Sequence, residues 1–122
     1  MSVGTGDFKE LLYACRDGDF GMVQYFVRRQ ADLNFLHAEF LFAPLHESIR
    51  HGHYDISKYL LENGANPHLK EGYTDDTPLS IAQANGDEKT IALLREYGVV
   101  EVGWLGRMWQ LVQKRIMGLA QI

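Results

Sequence analysis

The sequence predicts an all-α repeat solenoid, in which three short helix pairs stack side by side and a C-terminal amphipathic helix follows them. Three observations support this prediction. Apolar and glycine positions recur at a constant displacement of 34 residues, apolar residues within each unit follow helical spacing, and glycines stand where the predicted helices end. Two helices this short cannot bury their apolar faces alone, so about three units are needed for stability.

The repeat becomes visible when residues 9–34, 43–68 and 77–102 are aligned. The shared columns are an apolar residue in the first helix, a glycine after it, an apolar residue in the second helix, and the position that ends the second helix. They are Leu11, Leu45 and Leu79; Gly18, Gly52 and Gly86; Phe26, Leu60 and Leu94; and Gln30, Gly64 and Gly98.

The first unit opens with "DFKE", in which Asp7 and Glu10 have the spacing of a capping box and indicate a helix start. Cys15 lies in the column of Ile49, on the face that we expect to be buried. A core thiol of this kind is unreactive, so we do not expect a nucleophile here.

The middle unit shows the pattern most clearly. Pro44 suits a first helical turn, where its missing N–H leaves no bond unmade, and Gly52 can take the positive φ that ends the helix. We expect Asp55 to cap the second helix. That helix directs apolar residues inward until Gly64 stops it, and these are Ile56, Tyr59, Leu60 and Leu61.

The third unit repeats this plan with one difference. Arg95 stands where Val27 and Leu61 stand in the earlier units. A fourth ordinary repeat is therefore not expected to pack against it.

The segment "APLHESIRHGHYDISKYLLENGAN" resembles an ankyrin repeat almost position by position, and "TPLS" and "ACRDGD" are weaker copies. The resemblance implies an ankyrin repeat domain of residues 1–103, with repeats at about 7–38, 39–72 and 73–103. It also implies β-hairpin fingers that project at about a right angle from the helices. Proteins of this family recognise other proteins through the fingers and the inner helices.

The chain departs from the family in two respects. Its period is 34 residues, whereas ankyrin repeats have about 33, so each finger is one residue longer. The family has a Thr and a His that pair at the start of the first helix, and neither the middle unit nor the third unit has both. The middle unit has His46 but Ala43 in the Thr position, and the third unit has Thr77 but Ser80 in the His position. We expect each of these two units to lose one side of a local hydrogen-bond network, at about 1 kcal/mol of capping apiece.

The first finger is unusually apolar, because the family places Asp and Gly there and neither occurs between Asn34 and Ala43. Side chains alternate in direction along an extended strand, so its five large apolar residues cannot all be buried. We expect Phe40 and Phe42 to stay exposed, with Phe35 as the alternate, and exposed aromatic residues are common anchors of protein interfaces. The other interpretation is that these rings pack beneath the finger.

Further contact positions follow from the family by column. The two residues before the glycine that ends each first helix face the groove, and the second finger supplies the rest. Such a surface suits a peptide or folded partner with an apolar anchor and a flanking cation, although each charged residue alone could simply be solvated. The positions are Arg16, Asp17, Arg50, His51, Ala84 and Asn85 in the groove, and Glu71, Tyr73, Asp75 and Asp76 in the finger.

Residues 104–122 carry an apolar stripe at helical spacing, from Leu105 to Leu119, which Trp104 and Trp109 broaden. We expect a helix that caps the exposed end of the third repeat. The alternatives are a dimer seam, a partner-binding helix or an interfacial membrane anchor. A further alternative is that the chain is one part of a longer protein, such as the ankyrin segment of a multidomain molecule.

Composition narrows the possible functions. The 16 acidic and 12 basic residues give a net charge of −4, so no general attraction to nucleic acid is expected. No apolar run approaches the roughly 20 residues that span a bilayer. A single cysteine and the absence of a secretory signal at the start favour an intracellular protein, cytoplasmic or nuclear.

Catalysis is not indicated. Five histidines occur between residues 37 and 68, but their spacing does not place two on one helical face, so no metal site is predicted. We find no phosphate loop and no nucleophile with a base, and we expect no cofactor. The sequence therefore predicts a protein-binding module, and the alternative is a self-associating assembly protein that forms a homodimer through the first finger or the C-terminal helix.

Overall fold

The computed structural model describes residues 5–36 and 41–99, and within these ranges the chain forms six α-helices. Helices α1, α3 and α5 pack side by side in one layer, and α2, α4 and α6 pack in a second layer. The predicted all-α stack of three helix pairs is confirmed. The helices are α1 (Thr5–Asp17), α2 (Phe20–Arg28), α3 (Pro44–Arg50), α4 (Tyr54–Glu62), α5 (Pro78–Asn85) and α6 (Glu88–Glu96).

A glycine with left-handed backbone follows the first helix of every unit. The φ angles are +80° at Gly18, +76° at Gly52 and +66° at Gly86, a region in which any residue with a Cβ is strained. Gly18 has a second constraint, because a Cβ there would lie 2.7 Å from Cε1 of His53. The predicted ends of the first helices are therefore confirmed.

The second helices end in the same conformation. Gly64 and Gly98 have φ angles of +98° and +85°, and Gln30, in the same column, has a φ of +60°. The alignment of Gln30 with two glycines therefore describes a real structural equivalence.

The second helices of the outer units are capped by aspartate. The side chains of Asp19 and Asp87 accept hydrogen bonds from backbone N–H groups three residues ahead, at 3.1 and 3.2 Å. In the middle unit this column holds His53, which makes no side-chain cap bond, and Asp55 lies within the first turn of α4. The prediction that Asp55 caps this helix is wrong, because the helix already begins at Tyr54.

The starts of α3 and α5 differ in their hydrogen bonds. At α5, Thr77 Oγ1 accepts from the Ser80 backbone N–H at 3.2 Å, and Ser80 Oγ accepts from the Thr77 N–H at 2.9 Å. The prediction that the third unit loses one side of this network is wrong, because the Ser80 hydroxyl replaces the histidine ring. At α3, His46 Nδ1 accepts from the Ala43 N–H at 3.0 Å, while Ala43 has no side-chain acceptor.

Helix α1 begins at Thr5, ahead of the predicted capping box. Asp7 lies inside the helix and not at its N-cap. The predicted start was therefore wrong, because the helix runs further towards the N-terminus than the box indicated.

One apolar core runs through all three units. Leu11, Leu45, Leu60 and Leu94 are at most 2% exposed, and each such side chain contributes about 1.5–3 kcal/mol through burial. Cys15 belongs to the same cluster and is fully buried, as its column predicted.

The second finger, residues 68–77, forms a closed turn. The Glu71 N–H donates to the Asp76 carbonyl at 2.8 Å, and the Gly72 N–H donates to the Leu41 carbonyl, in the first finger, at 2.9 Å. A Cβ on Gly72 would lie 2.9 Å from that of Leu41, so the two backbones approach closely. No β-strand is present in residues 5–36 and 41–99, so the predicted hairpins are not seen there.

Several predictions concern residues outside the described ranges. These are the exposure of Phe40, the end of the third repeat at residues 100–103, and the helix over residues 104–122. The domain and repeat boundaries also stay predictions.

Candidate protein-binding surface

We use the name groove–finger surface for the predicted contact residues at the ends of the first-layer helices and in the two fingers. It comprises the predicted contact residues in the described part of the chain. Their exposure ranges from 6% at Glu71 to 74% at Tyr73, so the surface has projecting side chains and a supporting network. The residues are Arg16, Asp17, Phe35, Phe42, Arg50, His51, Glu71, Tyr73, Asp75, Asp76, Ala84 and Asn85.

Arg50 lies at the centre of the supporting network. Its Nη1 donates to Glu47 Oε1 at 2.7 Å, and its Nη2 donates to Glu71 Oε1. The Glu47 and Glu71 side chains are 9% and 7% exposed, whereas that of Arg50 is 35% exposed. Although burial lowers the pKa of Arg50, its hydrogen bonds to Glu71 and Glu47 hold that pKa above its usual value. The network therefore joins helix α3 to the second finger.

Glu71 was predicted only as a contact position, and the structure places it beneath the surface. Its side chain is buried, and Thr74 Oγ1 donates to its second oxygen at 3.0 Å. Buried carboxylates need partners of this kind, because an unpaired charge inside a protein is strongly destabilising. Glu71 thus supports the surface from beneath.

Phe42 is only partly exposed, which corrects the expectation that it projects into solvent. The guanidinium carbon of Arg50 lies 5.5 Å from the centroid of the Phe42 ring, within the range of a cation–π contact. Since Arg50 is fixed by two carboxylates, the ring lies against a positioned cation and belongs to the network.

Phe35, the predicted alternate, is 45% exposed. Its ring meets the edge of Phe8 at a centroid distance of 5.1 Å and an interplanar angle of 89°. Helix α1 thus contacts this ring through Phe8, while nearly half of the Phe35 residue stays exposed.

Tyr73 has the largest exposure of the described large apolar residues, at 74%. It stands at the tip of the second finger, beside the exposed Asp75. Asp76 is half-buried, and its Oδ1 accepts a hydrogen bond from Ser80 Oγ at 3.1 Å. The tip therefore offers an aromatic ring with an exposed carboxylate next to it.

At the first helix end, Arg16 and Asp17 are both exposed and pair with each other. Arg16 Nε donates to Asp17 Oδ1 at 2.8 Å, and this bond holds the pKa of Asp17 below its usual value. The Arg16 carbonyl oxygen lies 2.9 Å from His53 Nε2, which joins the first unit to the second.

At the third helix end, Ala84 and Asn85 are exposed at the residue level. Asn85 Nδ2 donates to the carbonyls of Ile49 and Arg50, at 3.0 and 3.2 Å. These carbonyls lie at the end of α3, where helices leave acceptors unpaired. Asn85 therefore links the second and third units.

His51 lies beside the network. Its Nε2 is 3.6 Å from Glu47 Oε2, and its side chain is 41% exposed. His51, Arg50, Phe42 and Glu71 thus form one cluster. None of the bonds described above connects this cluster to Phe35 or to the Arg16–Asp17 pair.

Sequence reasoning missed two residues that shape this surface, Glu47 and Thr74. Glu47 and Arg50 have i, i+3 spacing on a helix, which is a signal that could have revealed their pairing. Thr74 gave no such signal, because its bond to Glu71 depends on the folded loop.

His46, which the sequence placed in the network at the start of its helix, also links α3 to the second finger. Because its Nδ1 accepts the Ala43 N–H, its Nε2 carries the proton and donates to the Leu69 carbonyl at 2.7 Å. Burial lowers the pKa of this ring, which keeps it neutral.

The described residues offer little for chemical reaction. Burial raises the pKa of the Cys15 thiol far above its usual value. Within residues 5–36 and 41–99, no three metal-ligating side chains lie close enough to hold a metal ion. In the same part of the chain, no helix has the length and apolar character needed to cross a membrane.

Comparison with known proteins gives a consistent result. The family model described as "Ankyrin repeats (3 copies)" matches residues 11–103. The chain is 34% identical over 76 residues to the 2-5A-dependent ribonuclease of Mus musculus. These aligned residues cover 62% of the chain and 10% of the ribonuclease. It is also 34% identical over 61 residues to Palmitoyltransferase AKR1 of Lachancea kluyveri. These aligned residues cover 50% of the chain and 8% of the palmitoyltransferase. The chain thus spans about a tenth of the length of these relatives.

Proposed function

Because this chain belongs to the ankyrin repeat family, we propose that it is a non-catalytic module that binds another protein through its groove–finger surface. Ankyrin repeats are generally protein-interaction modules, and the fold is generally non-catalytic. The enzymatic names of the two relatives describe proteins that share only repeats with this chain, so they carry no activity over to it.

The proposal rests chiefly on one contrast, between projecting rings and the fixed network beneath them. Tyr73 and Phe35 are 74% and 45% exposed, although exposure of a large ring is unfavourable without a partner. Beneath the second finger, Arg50 and Glu71 fix the loop that carries Tyr73. A surface held in place before binding loses less conformational entropy when a partner arrives.

The charges around the rings support a description of the partner. Asp75 stands next to Tyr73, and the carboxylate of Asp17 lies at the first helix end, already paired with Arg16. We propose a peptide or folded protein that inserts an apolar anchor between the fingers and places a cation near Asp75.

The test compares two variants in a quantitative capture from native cells, followed by titration with the purified captured protein. Tyr73→Ser removes the projecting ring. Lys58→Ser is the control, because it removes an exposed side chain from helix α4, in the second layer. We expect Tyr73→Ser to weaken binding at least about tenfold, equivalent to about 1.4 kcal/mol, because central aromatic residues dominate interface energies.

The free energy of unfolding separates binding from stability. Both variants should unfold at nearly the wild-type urea concentration, since both side chains are exposed. Equal affinity for the wild type and Tyr73→Ser would contradict the proposal. A large loss of stability in Tyr73→Ser would show instead that this ring belongs to the core.

The second candidate function is self-association through the first finger or the C-terminal helix. The exposure of Phe35 favours the first of these contacts. Sedimentation at high micromolar concentration tests it, because a dimer that Phe35→Ser converts to a monomer would favour assembly over binding of a different protein.

A further inference from the structure

A surface hollow of about 340 Å³ lies between helices α2 and α4, in the second layer of the stack, and we call it the α2–α4 hollow. Its described lining contains two aromatic rings, two carboxylates and one ammonium group. None of these residues belongs to the groove–finger surface. They are Phe20 of α2 and Asp55, Lys58, Tyr59 and Glu62 of α4.

The two rings form the apolar part of the hollow. Their centroids lie 5.3 Å apart with an interplanar angle of 58°, and both rings pack against the core. Neither Phe20 nor Tyr59 is fully buried, although both are held in place by this packing. The face of an aromatic ring attracts a cation that lies within about 6 Å of its centroid. The rings can therefore hold a cation together with the methylene groups next to it.

The two carboxylates form the polar part of the hollow. Asp55 and Glu62 are about two helical turns apart on α4, so both lie on the same side of that helix. Both are exposed, and neither forms an ion pair with a cation in residues 5–36 and 41–99. Lys58 lies between them in the sequence and supplies one ammonium group against two carboxylates. A single added cation would therefore balance the charge of the hollow.

The contact between α4 and α6 shows what fills the corresponding space one repeat later. Tyr54 is the counterpart of Phe20 at the displacement of 34 residues. Lys89 is the counterpart of Asp55, and its Nζ lies 4.1 Å from the centroid of the Tyr54 ring. The chain thus places its own lysine ammonium over this ring. Between α2 and α4 the same column holds a carboxylate, and no cation from the described residues lies over Phe20.

The carboxylates decide which kind of cation suits the hollow. A quaternary ammonium group has no N–H and is held by aromatic faces, whereas a primary ammonium group donates up to three hydrogen bonds. Asp55 and Glu62 offer acceptors beside the rings. The hollow therefore suits a primary ammonium group on an aliphatic stem.

We propose that the α2–α4 hollow binds a lysine side chain of another protein. The ammonium group donates to the Asp55 carboxylate and lies over the Phe20 ring. The methylene stem packs against Tyr59, because such stems are readily buried on apolar surface. A lysine in a protein segment suits this site better than a free amine, since each contact is weak at an exposed site and neighbouring contacts must add to it. The site is separate from the groove–finger surface and does not depend on the proposed function.

The test is an NMR titration of the full, isotope-labelled chain with Nα-acetyl-lysine amide, whose only charge is the side-chain ammonium. We expect saturable shifts confined to the amides of α2 and α4, with an affinity in the millimolar range. Nuclear Overhauser effects should connect the ε-methylene protons of the probe to the rings of Phe20 and Tyr59.

Two matched probes test the chemistry of the ligand. Nα-acetyl-norleucine amide has the same stem without the ammonium group and should give no saturable shift. Nα-acetyl-Nε-trimethyllysine amide keeps the charge but has no N–H, so it should bind at least about threefold more weakly, because it loses charge-assisted hydrogen bonds.

Three variants test the residues of the hollow. Asp55→Asn should weaken binding of the lysine probe about threefold, because it removes an exposed charge and keeps the shape of the side chain. Glu88→Gln is the matched control, since Glu88 lies in the first turn of α6 as Asp55 lies in that of α4, and it does not line the hollow. Lys58→Ala should strengthen binding about twofold, because it removes a like charge from the lining.

Four results would overturn the proposal. The first is an absence of saturable shifts with the lysine probe, or equal shifts with the lysine and norleucine probes. The second is tighter binding of the trimethyllysine probe or of n-butylammonium, because the ligand would then be a quaternary cation or a free amine. The third is equal binding by the wild type and Asp55→Asn. The fourth is a dimer of the natural chain that Asp55→Asn dissociates, because the lysine would then come from a second copy.

Discussion

His46 shows how one side chain can stabilise two elements at once. Its Nδ1 accepts a hydrogen bond from the Ala43 N–H at the start of α3, and its Nε2 donates to the Leu69 carbonyl in the second finger, at 3.0 and 2.7 Å. Only the neutral ring can make both bonds, because a protonated ring has no acceptor. Burial lowers its pKa accordingly.

This arrangement predicts a loss of stability in mild acid. An unfolded chain protonates His46 near pH 6.5, while the folded chain resists protonation down to a lower pH. Between these two values the unfolded state binds more protons, so the free energy of unfolding falls as the pH falls. The slope attributable to this group approaches about 1.4 kcal/mol per pH unit. Urea unfolding from pH 7.5 to pH 5 measures it.

His46→Gln is the control, because the amide keeps polar atoms in place and does not titrate. The variant should be less stable at neutral pH but should lose less stability on acidification. Parallel pH profiles for the two proteins would exclude His46 as the source of the acid sensitivity.

At the scale of elements, helix α3 and the second finger depend on one another. The helices themselves could be predicted from the sequence, because apolar spacing and glycine positions are local signals. The position of Glu71 could not be predicted in this way, since its burial depends on Arg50, 21 residues earlier in the chain. The same holds for Phe42, whose ring lies against Arg50 in the folded protein.

Arg50→Ala should destabilise the protein by about 2 kcal/mol, because it leaves the carboxylates of Glu47 and Glu71 buried without their cation. This value lies below that of a fully buried pair, because Arg50 is partly exposed and solvent screens it. Urea unfolding measures the loss. Arg16→Ala is the control, since both members of that pair are exposed, and it should change stability little. Similar effects for the two arginines would show that the network contributes no more than a surface ion pair.

At the scale of the whole molecule, the sequence predicted the stack because its columns repeat every 34 residues. The exposure of the predicted contact residues was predicted less well. A position in the family's repeat indicates where the backbone lies, but it does not indicate whether neighbouring residues bury the side chain. Asn85 illustrates this, because its amide is used between units.

The central structural claim is that the three helix pairs bury one common core, and native-state hydrogen exchange of Leu60→Ala tests it most directly. Leu60 is fully buried in the middle unit, and its truncation should lower stability by about 2–5 kcal/mol. If the units form one cooperative stack, the slowest amides of α1, α3 and α5 should all lose protection by the same free energy. Loss of protection confined to α3 and α4, with α1 and α5 unchanged, would contradict the account.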